Sequence, residues 1–157
     1  MARLYGRAPV GRRCVAAVPH GHWQSSTFLA ALRLEAITAP FLIEGALDGE
    51  VFTVYLQQVL CPELRPGDQV ILDNLSTHKM ARVGELIAAA GAEVHYLPAY
   101  SPDLNPIEQA FAKLKAHLRA AAARTLAELQ PALAQALQSF RPDHCRGFFR
   151  HAQYASI

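Results

Sequence analysis

Apolar and polar positions in the first part of the chain predict strands and then a helix. Short apolar or alternating runs predict three strands, over Cys14 to Val18, Thr27 to Leu34 and Phe41 to Ile43. From Asp48 to the neighbourhood of Pro62, apolar residues recur at helical spacing, and Asp48 fits the position of an N-cap. The pattern therefore predicts three early strands followed by a helix.

A strand, a helix and another strand follow, and their order predicts a parallel pair. PGDQVILDN contains a continuous apolar run, Val70 to Leu72, which ends at Asp73 and is typical of a strand buried on both faces. The next helical stripe closes at Gly91, and Val94 to Leu97 has the pattern of a second strand. A βαβ crossover of this kind makes its two strands parallel.

The segment YLPAYSPDLNPIEQAFAKLK, Tyr96 to Lys115, predicts a helix that begins at Pro106. Asn105 fits an N-cap, Pro106 a first-turn proline and Glu108 the acidic partner of a capping box. Helically spaced apolar residues then form one stripe: Ile107, Phe111, Leu114 and Leu118. Glu108 is thus typical of a residue that only caps a helix, and a functional role for it requires a second acid.

The tail has a capping pattern of its own. Thr125 and Glu128 have the capping-box spacing, and an apolar stripe follows them, so another helix is predicted. Pro131 is expected to bend or break that helix. We expect it to cover the sheet, with a short aromatic end packed nearby: Phe148, Phe149 and Tyr154.

Length and composition place the chain among compact proteins. With 157 residues and 52% hydrophobic content it can form one domain, 1–157, with a real core. No run of about 18 apolar residues occurs, and the start MARLYGRAPVGRR lacks the apolar stretch of a signal peptide. Three cysteines at spacings that match no zinc or redox motif favour reduced thiols. These features predict a soluble, cytoplasmic protein without a membrane span.

Asp73 and Glu108 are the candidate pair of acids. An acid at the carboxyl end of a strand in an open α/β sheet faces the crevice where ligands bind, although such an aspartate is about as often a turn or cap residue. Together with an acid that opens a later helix, it can bind a divalent metal ion, and oxygen ligands suit Mg²⁺ or Mn²⁺. Two such ions activate a water or a 3′ hydroxyl for attack on a phosphodiester. The pair therefore points to nuclease or strand-transfer chemistry.

Five segments that span nearly the whole chain form a recognisable set of motifs: ARLYGRAPVGRR, VPHGHW, LRPGDQVILDNLSTHK, LPAYSPDLNPIEQAFAKLK and HCRGFFRHAQYAS. Through them the chain resembles the DDE transposases of the mariner-like superfamily, and in particular their bacterial insertion-sequence branch. The resemblance implies an α/β fold, a ribonuclease-H-like mixed sheet flanked by helices, with a two-metal site for Mg²⁺ or Mn²⁺. In this reading Asp73 matches the second aspartate of the catalytic triad and Glu108 its terminal glutamate.

Three further residues lie in the family motif around the second aspartate: Asn74, His78 and Lys79. His78 could touch a phosphate or a metal-bound water, or it could be a hydrogen-bonded histidine that fixes the loop after the strand. Asn74 is a possible supporting residue, and Lys79 is a candidate DNA contact. The residues alone leave these alternatives open.

The chain departs from the family pattern at its start. In the family, the strand with the first catalytic aspartate precedes the segment that matches MARLYGR, so no residue of this chain matches that aspartate. The amino-terminal helix-turn-helix region of the family has no counterpart here either. The resemblance thus implies an N-terminally truncated catalytic domain, for which an upstream-encoded fragment could supply the remainder.

The resemblance implies that the partner is DNA, both as transposon ends and as target. It also implies that the protein forms a homo-oligomer. A net charge of +2 is too small to indicate DNA binding, so that expectation rests on local basic clusters. The first cluster follows Glu108 and consists of Lys113, Lys115 and Arg119. The second lies near the amino terminus and consists of Arg12 and Arg13. Both patterns also suit a solvated surface.

Two functions from different classes follow. The first is the catalytic portion of a transposase, which cuts and joins DNA by metal-assisted phosphoryl transfer. This portion is expected to be inactive as an isolated chain. The second is a noncatalytic remnant or a regulatory DNA-binding and interaction module, because two carboxylates hold two metal ions poorly. A cellular nuclease of the same fold is disfavoured by the motif SPDLNPIE around Glu108.

Overall fold

A computed structural model describes residues 6–15 and 25–154 of the chain. The strand predicted over Cys14 to Val18 lies partly outside these residues, and Cys14 and Val15 belong to no strand. The described residues divide into two compact units. The terminal unit contains residues 6–15 and Phe111–Ser139, and the central unit contains residues 25–110 and 140–154.

The central unit begins with an antiparallel pair of strands. Strand β1, Ser26–Leu32, pairs with β2, Ile37–Glu44, and an irregularity in the register falls between Leu29 and Ala31 of β1. Strand β2 is longer than predicted because it runs through Pro40. A proline is tolerated where the ladder is already irregular, since a bulge leaves a backbone position without a partner.

A helical segment follows the hairpin. Helix α1, Gly49–Tyr55, begins after Asp48, whose carboxylate accepts a hydrogen bond of 2.8 Å from the Val51 amide, so the predicted N-cap is confirmed. The chain continues in helical form through a π-helical turn, Leu56–Leu60, and a 3₁₀ turn, Cys61–Glu63. One apolar face therefore extends over about three turns.

The predicted βαβ crossover is also present. Strand β3, Gln69–Leu72, and strand β4, Glu93–Tyr96, are parallel, and helix α2, Ala81–Ala89, lies between them in the chain. Strand β3 is only half-buried, so the expectation of burial on both faces is wrong. Among the described residues β3 pairs with β4 alone, which leaves one of its edges without a neighbouring strand.

Both strand pairs of the central unit pack on the same hydrophobic core. Its buried centre comes mainly from the segment that starts with α1 and from α2: Phe52, Tyr55, Leu56, Leu60, Val83 and Ile87. Half-buried residues of all four strands pack against it, among them Leu29, Phe41, Val70 and Val94. Burial raises the pKa of Tyr55, which stays neutral and donates its hydroxyl hydrogen to the carbonyl of Ala39 at 3.1 Å.

An ion pair joins the end of β1 to the start of β3. The guanidinium of Arg33, directly after β1, hydrogen-bonds to both carboxylate oxygens of Asp68, directly before β3. Arg33 also donates to the carbonyl of Glu63 at 3.1 Å, and Asp68 accepts from the Arg65 amide at 2.8 Å. The Arg33 hydrogen bond is the main cause that holds the pKa of Asp68 below its usual value of 3.8.

Three helices complete the described chain: α3, Pro106–Ala121, α4, Leu126–Gln138, and α5, Pro142–His151. Helix α3 begins at Pro106 as predicted, and the capping box of Thr125 and Glu128 is formed. Helix α4 continues through Pro131, so this proline does not break it. Within the described ranges, no helix has both the length and the apolar character of a membrane span.

The shared core predicts unequal effects of two truncations in the same helical segment. Leu56 is fully buried, whereas Val54, two residues earlier, is 41% exposed. We expect Leu56→Ala to lower the free energy of unfolding by about 2–5 kcal/mol, because it removes buried methyl groups and leaves a cavity. Val54→Ala should change it by less than about 1 kcal/mol. Urea unfolding of both variants tests this, and equal losses would contradict the assigned core.

The Arg33–Asp68 ion pair predicts a pH-dependent contribution to stability. The pKa of Asp68 is depressed in the folded state, so its contribution is complete above the unfolded value of 3.8 and is lost as pH falls below it. Wild type should therefore exceed Asp68→Asn in unfolding free energy at neutral pH, and the difference should shrink below pH 3.8. Chemical unfolding at several pH values measures the difference. When Arg33→Met is present in both proteins, the difference in unfolding free energy between Asp68 and Asp68→Asn should depend much less on pH. An unchanged pH dependence would refute the assignment of Arg33 as the partner of Asp68.

Candidate active site

Asp73 lies at the carboxyl end of the parallel pair. It directly follows β3, and its side chain is 39% exposed. One carboxylate oxygen, Oδ1, accepts a hydrogen bond of 3.1 Å from the amide of Leu75, two residues later. This local bond is typical of an aspartate that begins a turn. Within the described chain no hydrogen bond is made to the other oxygen, Oδ2, so Asp73 retains one oxygen for a ligand.

His78 lies beside the same carboxylate oxygen. It belongs to a 3₁₀ turn, Ser76–Lys79, and its Nδ1 is 2.7 Å from Oδ1 of Asp73. The distance is that of an ion pair, yet Nδ1 makes no hydrogen bond of good geometry. The two groups are thus in close contact without a formed hydrogen bond.

The turn that carries His78 is held from two other elements of the central unit. The imidazole packs against the ring of Phe52 in α1, with ring centroids 4.4 Å apart. The hydroxyl of Tyr96, the last residue of β4, donates to the carbonyl of His78 at 2.8 Å. The helical spacing of apolar residues after Asp48 gave no sign of either contact, because both join residues far apart in the chain.

Asn74 has a buried polar atom without a partner. No hydrogen bond is made to its side-chain oxygen, Oδ1, in the part of the chain that the structure describes. Buried polar atoms are nearly always paired, by protein, water or a ligand. An unpaired amide oxygen next to Asp73 therefore marks this end of β3 as a place for a polar ligand, and an amide oxygen is an acceptable donor to Mg²⁺ or Ca²⁺.

Glu108 occupies the first turn of α3. Its amide donates to the carbonyl of Asn105 at 3.1 Å, and its side chain is exposed. The preceding loop contains Tyr100, which is fully exposed and has a positive φ of 58°. Tyr154, after α5, anchors this loop through a 3.2 Å hydrogen bond from its hydroxyl to the carbonyl of Leu104. Glu108 forms no ion pair within residues 6–15 and 25–154.

The structure brings Asp73 together with His78 but does not gather a metal-binding cluster. In residues 6–15 and 25–154, no group of three His, Cys, Asp or Glu side chains is arranged to hold a metal ion. Asp73 and Glu108 belong to the same compact unit, and their convergence on a metal ion remains a prediction. No residue of the chain was predicted to be the first catalytic aspartate, and no described acid joins Asp73 to form a triad.

The basic candidates differ in what their side chains contact. Lys79 is exposed at the end of the 3₁₀ turn, in the central unit. In the terminal unit, the amine of Lys113 donates to the carbonyl of Ser139 at 3.1 Å, at the carboxyl end of α4. Lys115 and Arg119 are exposed on α3, and the Arg119 Nε donates to the Lys115 carbonyl at 3.1 Å. Arg12 and Arg13 are exposed in the described amino-terminal segment.

The order and pairing of the strands define the fold of the central unit. An antiparallel strand pair followed by a parallel βαβ unit on one core is a mixed α/β arrangement of the ribonuclease-H-like type, as the resemblance implied. A family model described as a DDE superfamily endonuclease matches residues 1–130. The chain therefore belongs to the DDE endonuclease superfamily.

Solved structures of Mos1 complexes have a similar fold. The Mos1 strand transfer complex matches with a TM-score of 0.73 at 17% identity, over 98% of this chain and 48% of that chain. A pre-cleavage Mos1 transpososome matches with a TM-score of 0.75 at 13% identity, over 98% of this chain and 48% of that chain. The Mos1 mariner paired end complex with Mn matches with a TM-score of 0.72 at 16% identity, over 99% of this chain and 48% of that chain. At these identities the likeness establishes the fold alone.

Length separates this chain from those proteins. It spans about half of each Mos1 chain, 48% in the three complexes. No curated protein sequence matches it. The family and the fold are thus established, and the substrates and partners of the Mos1 complexes are properties of those longer proteins.

Proposed function

We propose that this chain is part of the catalytic domain of a DNA transposase of the mariner-like superfamily, in its bacterial insertion-sequence branch. It would take part in metal-dependent DNA strand cleavage and strand transfer during transposition. The membership of the DDE endonuclease superfamily supports the reaction class. The observation that carries the proposal is Asp73 at the carboxyl end of β3, with one oxygen bonded to the Leu75 amide and the other without a protein partner among the described residues.

We assign Asp73 and Glu108 as ligands of a divalent metal, Mg²⁺ or Mn²⁺. Their carboxylates are hard oxygen donors, which both ions prefer. The unpaired Oδ1 of Asn74 beside Asp73 is a further donor of the same chemistry, so the residues fit such an ion. A bound pair of these ions supplies activation of a water or 3′ hydroxyl and stabilisation of the leaving oxygen.

The chain's own residues would position the reactants. The turn after β3 holds Asp73, and the first turn of α3 presents Glu108, whose side chain is exposed. The exposed basic side chains of α3, Lys115 and Arg119, would bind DNA phosphates, and Lys79, Arg12 and Arg13 are further candidates for such contacts. Transposon ends and target DNA are the partners of this proposal.

The isolated chain is proposed to be inactive. Two carboxylates are a small ligand set for two metal ions, and the described residues provide no third acid beside them. Strands β1 and β3 each have a second edge to which no described strand is hydrogen-bonded, and such edges pair readily with another strand. We propose that an upstream-encoded fragment supplies the third carboxylate, and that the complete protein acts as a homo-oligomer.

A noncatalytic role is the second candidate, favoured by the absence of a three-ligand metal group from the described residues. In that case the chain would be a transposase remnant or a regulatory module that binds DNA through its basic residues. DNA binding that needs no metal, in a protein that binds no metal in any form, would distinguish this role from the catalytic one.

Metal binding provides the first test. Calorimetric titration with Mn²⁺ should show tight binding by a longer polypeptide that includes the sequence encoded upstream, and weak or no binding by the 157-residue chain. In the longer polypeptide, Asp73→Asn and Glu108→Gln should each abolish the tight site, because each removes a charged oxygen ligand. Asp103→Asn is the matched control, since Asp103 is an exposed acid in the loop before Glu108. If the longer polypeptide binds no Mn²⁺, the metal-ligand assignment of Asp73 and Glu108 is wrong.

Salt dependence of DNA binding provides the second test. Each phosphate contact contributes a slope of about −0.9 to log K against log salt for duplex DNA. We expect Lys115→Gln and Arg119→Gln each to lower the affinity and to reduce the slope by roughly one contact. Fluorescence anisotropy with a labelled duplex at several salt concentrations measures both quantities.

Lys113 separates a structural role from DNA contact on the same helix. Its amine donates to the Ser139 carbonyl, so Lys113→Gln should lower the free energy of unfolding and leave the salt slope as in wild type. A reduced slope for Lys113→Gln would place this amine on DNA instead. Slopes that stay unchanged in Lys115→Gln and Arg119→Gln would contradict the phosphate-binding role of α3.

A further inference from the structure

His78, in the 3₁₀ turn after Asp73, is held through both its backbone and its ring. The amide of His78 donates to the Leu75 carbonyl at 3.1 Å, and its carbonyl accepts from the Tyr96 hydroxyl at 2.8 Å. Its ring packs on Phe52, which is only 3% exposed and belongs to the hydrophobic core. Backbone and ring of His78 are therefore located by a local bond, by the end of β4 and by α1.

With its backbone and ring located in this way, His78 presents Nδ1 to one defined atom. That atom is Oδ1 of Asp73, at 2.7 Å, the same oxygen that accepts from the Leu75 amide. An aspartate side chain on its own would exchange among staggered χ1 rotamers. The Leu75 amide, bonded to Oδ1, and the His78 ring nitrogen, close to it without an aligned hydrogen bond, would restrict this exchange and leave Oδ2 open to a ligand. A ligand group is most effective when its rotamer is set in advance by its surroundings.

We infer that His78 is a positioning residue, which holds the Asp73 carboxylate in one rotamer so that Oδ2 is available to a divalent metal. Residues that hold metal ligands in this manner typically change metal affinity by about 10–100-fold when they are replaced. The metal part of this inference rests on the proposed function. The part that concerns the Asp73 rotamer rests only on contacts among the described residues.

Two substitutions separate the effect of the His78 Nδ1 atom from that of its ring. His78→Phe keeps an aromatic ring against Phe52 and removes Nδ1. His78→Asn loses the ring and keeps a nitrogen bonded to Cγ, where Nδ1 is attached in histidine. Ser76→Ala, at an exposed position of the same turn, is the matched control. Thermal unfolding of each variant identifies any that is not folded.

The first readout needs no metal. The Hα–Hβ coupling constants of Asp73, measured by NMR on the 157-residue chain, report its rotamer distribution. Wild type and Ser76→Ala should show one dominant rotamer, whereas His78→Phe should show averaged couplings. His78→Asn should restore most of the wild-type couplings, which a purely structural role of the ring would not produce. Wild-type couplings in His78→Phe, or a failure of His78→Asn to restore them, would overturn the inference.

The second readout is Mn²⁺ affinity, measured by electron paramagnetic resonance on the longer polypeptide. His78→Phe should weaken binding by roughly tenfold or more, and His78→Asn should recover most of that loss. Equal affinities of wild type and His78→Phe would overturn the role of His78 toward metal. If wild type itself binds no Mn²⁺ while His78→Phe still averages the Asp73 couplings, the proposed metal site fails and the positioning of Asp73 by His78 stands.

Discussion

The packing of two separate strand pairs on one helical core is the interaction on which the central unit depends. Phe52, Tyr55, Leu56 and Leu60 lie in this core and are nearly or fully buried. Val83 and Ile87 of α2 belong to the same core, on which β1 and β2 rest through residues such as Phe41, and β3 and β4 through residues such as Val70. Among the described residues no backbone ladder joins the two pairs, so side-chain packing and the Arg33–Asp68 ion pair hold them in place.

The same core reaches the candidate site. Phe52 contributes to the buried cluster and also forms the surface on which the His78 ring lies, so a residue of the hydrophobic core helps to set the position of that ring. Tyr96 adds a second constraint from the end of β4. In the proposed metal site, Asp73 would need such support because a loosely held ligand loses metal affinity and geometry. In this protein the support is an aromatic core residue and a tyrosine hydroxyl.

Local signals in the sequence were reliable where the chain's own neighbours determine the outcome. The cap at Asp48, the capping box of Thr125 and Glu128, and the start of α3 at Pro106 depend on residues three or four positions apart, and all are present. Predictions that depended on context were less accurate. Strand β2 extends through Pro40 because the pairing with β1 is irregular there, and α4 continues through Pro131. Strand β3 has the composition of a fully buried strand but only one strand neighbour.

The sequence by itself determined the order of the elements, the parallel pair, the family resemblance and the two acids worth considering. Periodicity, capping residues and motif spacing are properties of short segments, so they can be recognised without coordinates. Only the tertiary structure decided that His78 meets Asp73, that Phe52 and Tyr96 fix His78, and that Lys113 contacts the end of α4. These contacts join residues of different elements, and no local pattern encodes them, because packing of the elements brings those residues together.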